Sequence, residues 1–559
     1  MRTMHGIPVS PGAAIAPVYL YRPDVYEVPE QWTDLPAKAL DELTTALDGV
    51  AAFLEDAAAT ATGEASEILM AQAAIAADPA LRRAAQTGVE SGLHPARALL
   101  AAGEQFAQSL EASGNDYLAA RAPDVRHICD LAARAQLGLP ERRPPEPVEP
   151  CVIVAEDLMP TDTAALDATL VRALVTARGS RTSHTSVIAR ALGIPAVVGV
   201  HGLLEAATGA EHIGLDGSTG LVALDPDEDT VADLAHRRRA YRLQRDRLRF
   251  TAGSGPTTTA DGARIEVAAN VSGLEELSAA LADGAEGIGL LRTELLYKGR
   301  HTPPTQDEQV ELLRSMRELL GNRRMVIRTF DIGADKNVPF LPVRPERNPE
   351  LGVRGLRLAQ LHPDLLDTQL RAIAATASLG PTAVMAPMVG TLDEAAWFVG
   401  RVAAAGMPPE VEVGVMVEVP ALALMAGELA EQVDFMSIGT NDLAQYLFAA
   451  DRRDETMAAL LDPFNPSLLR SVAAICRGAE GKAWVGVCGE AASDPAWALL
   501  AVGLGVTELS MQGIAVPAVR AALKATSLDH CRAAAVRAVS ASDPTEVRAI
   551  GTSLVKERP

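Results

Sequence analysis

The stretch of this sequence with the clearest chemical potential places one histidine among small hydroxyl residues. Residues 178–199 read Arg-Gly-Ser-Arg-Thr-Ser-His-Thr-Ser-Val-Ile-Ala-Arg-Ala-Leu-Gly-Ile-Pro-Ala-Val-Val-Gly, and the histidine is His184. A neutral imidazole near its pKa is a nucleophile, and the hydroxyls of Ser183, Thr185 and Ser186 could donate hydrogen bonds to an anion. This pattern is compatible with a histidine that accepts a phosphoryl group, but taken alone it is weak, because a Ser/Thr-rich turn with one histidine is usually only a solvated turn.

A second group of polar residues follows short apolar runs in the C-terminal half. If the runs are strands of a parallel barrel, their carboxyl ends share one face. Guanidinium groups on that face can bind the carboxylate and phosphate of a small trianionic phosphate ester, with a lysine as a point charge. The cationic candidates are Arg292, Arg328, Lys336, Arg354 and Arg452.

Two carboxylates and a thiol complete this group. Glu418 and Asp442 follow the fifth and sixth apolar runs, and they are hard oxygen ligands suited to Mg²⁺, which neutralises phosphate charge during transfer. The alternative for Glu418 is a salt bridge to one of the arginines. Cys488 follows the last clear run, whereas the other four cysteines are scattered without metal-ligand spacing and indicate reduced, buried thiols.

Local pattern suggests how His184 is positioned. The apolar run 170–177 predicts a buried strand, Gly179-Ser180 a turn, and residues 187–192 a short helix that ends at Gly193. His184 then lies at a helix start, where free backbone N–H groups and the helix dipole favour a phosphoryl group.

Composition limits the possible classes of protein. A length of 559 residues with 48% hydrophobic residues predicts three or four globular domains. A net charge of −22 argues against nucleic acid and anionic membrane as partners, so an anionic substrate requires a local arginine cluster. There is no apolar run of about 18–20 residues and no signal-peptide pattern, so we expect a cytoplasmic protein without membrane spans.

The N-terminal half reads as an α/β domain interrupted by helices. Residues 6–22 predict short strands, and five helical segments follow at 37–61, 64–76, 79–90, 95–112 and 117–136. These segments predict a helical bundle inserted into the α/β domain. The highly charged segment 227–250 predicts an exposed linker helix that starts acidic and ends basic, and the Gly/Thr/Ser-rich residues 251–261 predict a flexible joint.

The C-terminal half alternates apolar runs with helical patterns, which is typical of a (β/α)₈ barrel. Seven strands are clear and an eighth, near 507–511, is less certain; the clear runs are 265–269, 286–291, 325–329, 383–386, 413–417, 435–438 and 484–487. The predicted domains are therefore 1–22 with 145–226 (α/β), 23–144 (helical bundle), 227–260 (linker helix and hinge) and 261–559 (barrel).

These motifs resemble those of a known family. The string Gly-x-Arg-Thr-Ser-His-Thr-Ser, followed by Ala-Arg and Pro-Ala-x-Val-Gly, resembles the phosphohistidine segment of the phosphoenolpyruvate-utilising enzymes. Within them, the barrel motifs are most similar to the Enzyme I family of the sugar phosphotransferase system. The matching segments are 287–294, 328–336, 348–354, 414–418, 437–443, 451–452 and 487–490.

The resemblance implies a function. Phosphoenolpyruvate would phosphorylate His184 and leave as pyruvate, and the phosphoryl group would pass to a histidine of the phosphocarrier HPr, docked on the helical bundle. Because His184 has to meet both, its domain is expected to swivel. The resemblance also implies a homodimer through the barrel, phosphoenolpyruvate binding by Arg292, Arg328, Asn441 and Arg452, a Mg²⁺ site at Glu418 and Asp442, and Cys488 as the proton donor to the enolate.

Departures from the family pattern leave two alternatives open. Gln72 replaces a histidine expected in the bundle, so the docking residues cannot be carried over; Ala334, Ala444 and Arg453 flank barrel motifs but spare the proposed ligands. A catalytically decayed regulatory relative is one alternative, which the retained ligands disfavour. A dikinase-like enzyme is the other, and it would need an ATP site for which the sequence shows no Gly-rich loop.

Overall fold

The computed structural model describes residues 2–22, 26–31, 36–60, 64–112, 122–139, 145, 147–159, 162, 166, 169–179, 183–253, 255–297, 300, 302–333, 338–341, 346, 348–452, 457 and 460–556. The chain divides into two units, Met1–Gln244 and Arg245–Pro559. Within the described residues, no helix has both the length and the apolar character needed to cross a membrane.

The first unit contains an eight-stranded mixed sheet in the order β1-β8-β7-β3-β4-β5-β6-β2. Strands β3 to β6 run parallel, and the remaining pairs are antiparallel. Apolar clusters cover both faces, which is why the central strand β4 is apolar throughout. The strands are β1 (Arg2–His5), β2 (Ile7–Ser10), β3 (Ala13–Leu20), β4 (Cys151–Ala155), β5 (Val171–Thr176), β6 (Ala196–Val198), β7 (His212–Asp216) and β8 (Leu221–Leu224).

A helical bundle lies between β3 and β4 in the chain, although these two strands are direct partners in the sheet. The bundle has an Ala- and Leu-rich core, as its apolar stripes predict. Its helices are α1 (Pro36–Thr60), α2 (Glu64–Ala76), α3 (Pro79–Glu90), α4 (Pro95–Glu111) and α5 (Ala122–Gln136). The predicted start of the last helix at residue 117 lies outside the described residues.

Three further helices follow the bundle. They are α6 (His184–Leu192), α7 (Leu203–Ala206) and α8 (Glu228–Ala252). Helix α8 begins with Glu228 and Asp229, continues into an arginine-rich stretch and contains neither proline nor glycine. Beyond it, Gly253 and Gly255 adopt positive φ angles of 59° and 96°, which only glycine adopts readily; both lie in the segment 251–261 that the sequence predicts to be a flexible joint.

The second unit is a closed barrel of eight parallel strands, which confirms the predicted (β/α)₈ fold and its eighth strand. Residues that point outward from the strands join the large apolar core beneath the helices. The strands are β9 (Glu266–Val271), β10 (Ile288–Leu291), β11 (Met325–Arg328), β12 (Thr382–Ala386), β13 (Glu412–Val417), β14 (Phe435–Ile438), β15 (Trp484–Val487) and β16 (Glu508–Met511).

Helices alternate with these strands and cover the outside of the barrel. Thr305 and Thr391 are the N-cap residues of the helices that begin at Gln306 and Leu392, and each forms a capping box with the glutamate three residues on. The helices are α9 (Leu274–Ala282), α10 (Gln306–Leu320), α11 (Leu356–Leu361), α12 (Pro363–Ala377), α13 (Leu392–Ala404), α14 (Pro420–Ala423), α15 (Ala426–Leu429), α16 (Thr440–Phe448), α17 (Pro466–Ala479), α18 (Pro495–Leu504), α19 (Val516–Ala525), α20 (Leu528–Ser540) and α21 (Pro544–Lys556).

Side chains fill the barrel at its amino-terminal end, which we call the floor. The rings of Phe435 and Trp484 stack with centroids 4.4 Å apart, and the Arg324 guanidinium lies 4.1 Å from the Trp484 ring centroid. Arg324 also pairs with Glu266 at 2.8 Å and with Glu412 at 3.3 Å. Above the floor, Glu508 is 1% exposed.

The buried carboxyl of Glu508 predicts a pH dependence of stability. Burial, reinforced by Glu266 and opposed by Arg324, raises its pKa from the usual 4.5 to about 8. At pH values between these two pKa values, the Glu508 carboxyl stays protonated in the folded barrel but is ionised in the unfolded chain. Rising pH therefore lowers the free energy of unfolding, by ~1.4 kcal/mol per pH unit. We expect thermal unfolding midpoints to show that Glu508→Gln gains stability relative to the wild type as pH rises from about 5 to 8. A constant difference across this range would contradict the assignment.

Candidate active site

The backbone around His184 is shaped by a turn and a helix start. Gly179 and Gly199 adopt φ angles of 111° and 67°, and a side chain on Gly199 would lie 3.3 Å from the Gly179 carbonyl oxygen. Ser183 is extended, the next residue begins α6, and Gly193 ends the helix in a left-handed conformation. His184 is thus the first residue of a helix, as predicted. Residues 180–182 and the His184 side chain lie outside the described part of the chain.

Helix α6 begins at His184, three residues earlier than the predicted Val187. The prediction followed apolar periodicity, which Thr185 and Ser186 interrupt. Both hydroxyl residues are fully buried, so they do not face a ligand as the sequence suggested. Thr185 Oγ1 donates to Leu158 O at 3.5 Å, and Ser186 Oγ lies 3.0 Å from Ser183 Oγ.

Helix α2 of the bundle packs against α6 within the same unit. Gln72 on α2 is fully buried, and its Nε2 donates to Asp124 Oδ1 at 2.8 Å. The Gln72 side chain, which replaces the histidine expected from the family pattern, therefore lies in the bundle interior and not on an accessible surface.

In the barrel, the predicted site residues gather at the carboxyl ends of the strands. Arg328 ends β11, Glu418 directly follows β13, Asp442 lies in the first turn of α16, and Cys488 directly follows β15. Lys336 lies outside the described residues. No group of three His, Cys, Asp or Glu side chains among the described residues is arranged to hold a metal by itself.

A chain of ion pairs joins three of the arginines. Arg354 is 3% exposed and holds Asp331 through two bonds, Nη2 to Oδ2 at 2.9 Å and Nε to Oδ1 at 3.4 Å. Its Nη1 contacts Glu350 and lies 3.5 Å from Asp442 Oδ1, whose second oxygen pairs with Arg452 at 3.1 Å. Burial would lower the pKa of Arg354, but the three carboxylates raise it well above its usual range.

Arg328 continues this network on the other side. Its Nη2 pairs with Glu294 Oε1 at 2.5 Å and its Nη1 with Asp331 Oδ2 at 3.4 Å. Burial opposes the charge, yet Glu294, Asp331 and Glu418 raise the pKa of Arg328. Its backbone is fixed as well, because Thr293 Oγ1 donates to Arg328 O at 2.8 Å. The buried charges are therefore paired, as burial requires.

Glu418 is a buried carboxylate beside a strained backbone. Its Oε1 accepts a 2.7 Å bond from the N–H of Met388, a non-glycine residue with φ of 59°. Burial, followed by repulsion from Asp442 and Asp331, raises the pKa of Glu418 to about 8. Two buried carboxylates that repel each other fit a divalent cation, which would stabilise both in their ionised forms.

Arg292 and Asn441 have side-chain N–H groups that make no hydrogen bond within the described residues. Arg292 is exposed, and within the described residues its guanidinium has no hydrogen-bond or ion-pair partner. The oxygen of the Asn441 amide accepts from the Glu490 N–H at 3.1 Å, which leaves the amide NH₂ group to donate to a ligand. Both residues can therefore bind an anion without first losing a partner.

Cys488 is 4% exposed, and its thiol lies 3.7 Å from the carbonyl oxygen of Ile438. Burial is the main reason that its pKa rises to about 12; Glu418 and Glu508 add to the effect, while Ser437 and Arg328 oppose it. The thiol is protonated at neutral pH and so can act as an acid but not as a resting nucleophile.

Three carboxylates of this site have no role in the predictions made from the sequence, although Asp331 lies among the polar residues that follow the third apolar run. Glu294, Asp331 and Glu350 are direct partners of Arg328 and Arg354. Each of the three lies two to four residues from a proposed arginine, and this spacing could have indicated an ion pair. Sequence spacing is weak evidence for such pairs, because only the folded loops bring the charges together.

Comparison with protein families is consistent with this geometry. Residues 249–528 match the model described as "PEP-utilising enzyme, PEP-binding domain", residues 147–220 its mobile domain and residues 5–121 its N-terminal domain. The three matches, with the barrel and its charged mouth, define the class as a phosphoenolpyruvate-utilising enzyme.

Individual relatives narrow this class. The phosphoenolpyruvate-protein phosphotransferase of Streptomyces coelicolor is 40% identical over 555 residues, 98% of each chain. That of Geobacillus stearothermophilus is 37% identical over 543 residues, 94% of this chain and 93% of the relative. The multiphosphoryl transfer protein of Rhodobacter capsulatus is 40% identical over 562 residues, 98% of this chain and 67% of that protein. The chain belongs to the phosphoenolpyruvate-protein phosphotransferase family.

Proposed function

We propose that this enzyme transfers the phosphoryl group of phosphoenolpyruvate to His184 and releases pyruvate, as the first step of the phosphotransferase system. The observation that carries this function is the barrel mouth, where Arg328, Arg354 and Arg452 share one ion-pair network with Asp331 and Asp442, beside the Glu418 carboxylate and a protonated thiol. In a chain of net charge −22, a trianionic substrate needs local guanidinium groups such as these to bind its carboxylate and phosphate.

We assign different roles to the residues of this site. Arg292 and Asn441 bind the substrate through their free donors, together with Arg328, Arg452 and Lys336. Arg354, the remaining arginine of the proposed substrate site, holds Asp331 and Asp442 in place. The His184 imidazole attacks phosphorus, the bond from phosphorus to the enolate oxygen breaks, and the enolate takes a proton at its methylene carbon from the Cys488 thiol.

Glu418 and Asp442 are the proposed ligands of Mg²⁺. Two carboxylates suffice because Mg²⁺ commonly completes its coordination with substrate oxygens and water. When bound, the ion neutralises negative charge on the phosphoryl group. The buried, mutually repelling carboxylates described above support this assignment.

The partners follow from the same proposal. The phosphoryl group passes from His184 to a histidine of HPr, which docks on the bundle in residues 23–144. The enzyme is a cytoplasmic homodimer formed through the barrel of residues 261–559. The α/β domain of residues 1–22 and 145–226 swivels about the linker of residues 227–260, where Gly253 and Gly255 provide the joint.

The direct test is incubation with labelled phosphoenolpyruvate and Mg²⁺. We expect one acid-labile, base-stable label per chain, as a phosphoramidate gives and a phosphoserine does not. ATP should not bind in a nucleotide titration, which separates this function from a dikinase-like one. An unlabelled chain would support the decayed regulatory alternative.

The proton donor is tested by Cys488→Ser. A hydroxyl is a much weaker acid than a thiol, so we expect pyruvate formation to slow by about 10²-fold or more while phosphoenolpyruvate affinity changes little. Stopped-flow assay of pyruvate and equilibrium binding measure the two effects. Wild-type turnover in this variant would remove Cys488 from the mechanism.

Modularity is tested by a fragment of residues 1–249. It retains the bundle, the sheet and His184 but lacks the barrel. We expect it to exchange phosphate with the phosphorylated carrier and to gain no label from phosphoenolpyruvate. Mass analysis with each donor in turn checks this, and labelling by phosphoenolpyruvate alone would contradict the division of sites.

A further inference from the structure

A buried amide that has no part in the site described above joins two strand ends of the barrel. Gln369 lies on helix α12 and is 2% exposed. Its Oε1 accepts a hydrogen bond from the Phe330 N–H at 3.0 Å, and its Nε2 donates to Thr293 Oγ1 at 2.9 Å. Thr293 belongs to the loop after β10, and Phe330 belongs to the loop after β11. One side chain therefore holds both loops.

The orientation of this amide follows from its partners. The backbone N–H of Phe330 can only donate, so the group that faces it has to be the amide oxygen of Gln369. The NH₂ group then faces the Thr293 hydroxyl, which in turn donates to Arg328 O at 2.8 Å. A continuous chain of three hydrogen bonds therefore runs from the Phe330 N–H to the Arg328 carbonyl, and each bond polarises the next.

The residues next to this chain of hydrogen bonds set two arginines of the proposed substrate site. Arg292 directly precedes Thr293 in the sequence. Arg328 accepts from Thr293 through its carbonyl oxygen, and its guanidinium pairs with Glu294 and Asp331. Each of these two carboxylates directly follows a residue that the amide holds. The amide thus fixes the backbone beside Arg292 and beside both partners of Arg328.

We propose that Gln369 is a positioning residue for phosphoenolpyruvate binding, and that it keeps the guanidinium groups of Arg292 and Arg328 in the arrangement that the substrate requires. The inference rests on the proposed function, in which both arginines bind phosphoenolpyruvate. Within the described residues, the Arg292 guanidinium and Arg328 Nε have no hydrogen-bond partner, so both arginines retain donors for a ligand. Gln369 is too deeply buried to contact the substrate and acts through the two loops.

The test is Gln369→Met, which keeps the length of the side chain and removes both of its hydrogen bonds. In this variant the substrate itself has to order the two loops when it binds, so the loss should appear in affinity. We expect the Kd and KM of phosphoenolpyruvate to rise about 10-fold, and kcat at saturating phosphoenolpyruvate to stay within about 3-fold of the wild type. Calorimetric binding and a steady-state assay of pyruvate measure these constants.

Thr376→Val is the matched control. Thr376 lies two turns further along α12 and is 2% exposed, and its hydroxyl donates to carbonyl oxygens of its own helix, Ala372 O at 3.2 Å and Ile373 O at 3.1 Å. This variant should lose stability but keep the wild-type KM. A purely structural role of Gln369 would likewise lower the Tm and the amount of active enzyme without changing KM, and that result would overturn the proposal. An equal rise of KM in Thr376→Val would overturn it too.

Two substitutions of Thr293 keep the test decisive if Gln369→Met folds poorly. Thr293→Val removes the hydroxyl that links Gln369 to Arg328 and should raise KM about 10-fold, whereas Thr293→Ser keeps a hydroxyl and should retain the wild-type KM. A wild-type KM in Thr293→Val, or an equal rise in Thr293→Ser, would contradict the proposed link. Failure of the proposed function itself looks different, because the wild-type chain would then form no pyruvate from phosphoenolpyruvate.

Discussion

A His184→Ala chain is expected to take up no stable phosphoryl group from phosphoenolpyruvate and to bind phosphoenolpyruvate nearly as well as the wild type. The reason is the division of the chain: His184 begins α6 in the first unit, whereas the proposed substrate ligands lie in the barrel of the second. The loss of label should be complete because the adjacent Thr185 and Ser186 hydroxyls are buried.

Labelling with phosphoenolpyruvate and calorimetric binding measure these two properties separately. His201→Ala is the matched control, since His201 is an exposed histidine of the same unit and should retain full labelling. Label that persists on another residue of His184→Ala, or loss of phosphoenolpyruvate binding, would contradict the proposed separation.

The second large effect concerns the proposed metal ligands. Glu418→Gln removes a charged oxygen ligand and should raise the Mg²⁺ concentration needed for pyruvate formation by about 10-fold or more. Asp442→Asn should do the same and also weaken the ion pairs of Asp442 with Arg354 and Arg452. Glu418→Gln is therefore the cleaner variant.

Mg²⁺ titration of pyruvate formation and spectroscopic Mn²⁺ binding with phosphoenolpyruvate present measure this effect. Glu294→Gln is a useful control because Glu294 pairs with Arg328 but is not a proposed metal ligand. Unchanged Mn²⁺ affinity in Glu418→Gln would exclude Glu418 from the metal site.

Much of the barrel was predictable because its strands alternate with amphipathic helices. Strands β14 and β15 match the predicted runs residue for residue. The eighth strand was less clear because Glu508 and Ser510 point into the barrel and interrupt its apolar run.

The site was predictable only in part. Strand ends located Arg328, Glu418 and Cys488, since topology places such residues together. The pairing of Arg354 with Asp331, and of Arg328 with Glu294, depends on loops whose course is set by tertiary contacts. A sequence pattern shows which charges are present but not which of them neutralise one another.

Phe435, Trp484 and Arg324 pack across the floor of the barrel, whereas the proposed substrate ligands lie at the opposite end, at the carboxyl ends of the strands. Pyruvate, the proposed product, would occupy the same site at this end as phosphoenolpyruvate, so the two would exclude each other. Rising pyruvate would slow the enzyme in direct competition with its donor. The cellular ratio of these two metabolites, more than the amount of either, would then set how much of the enzyme is charged at any moment.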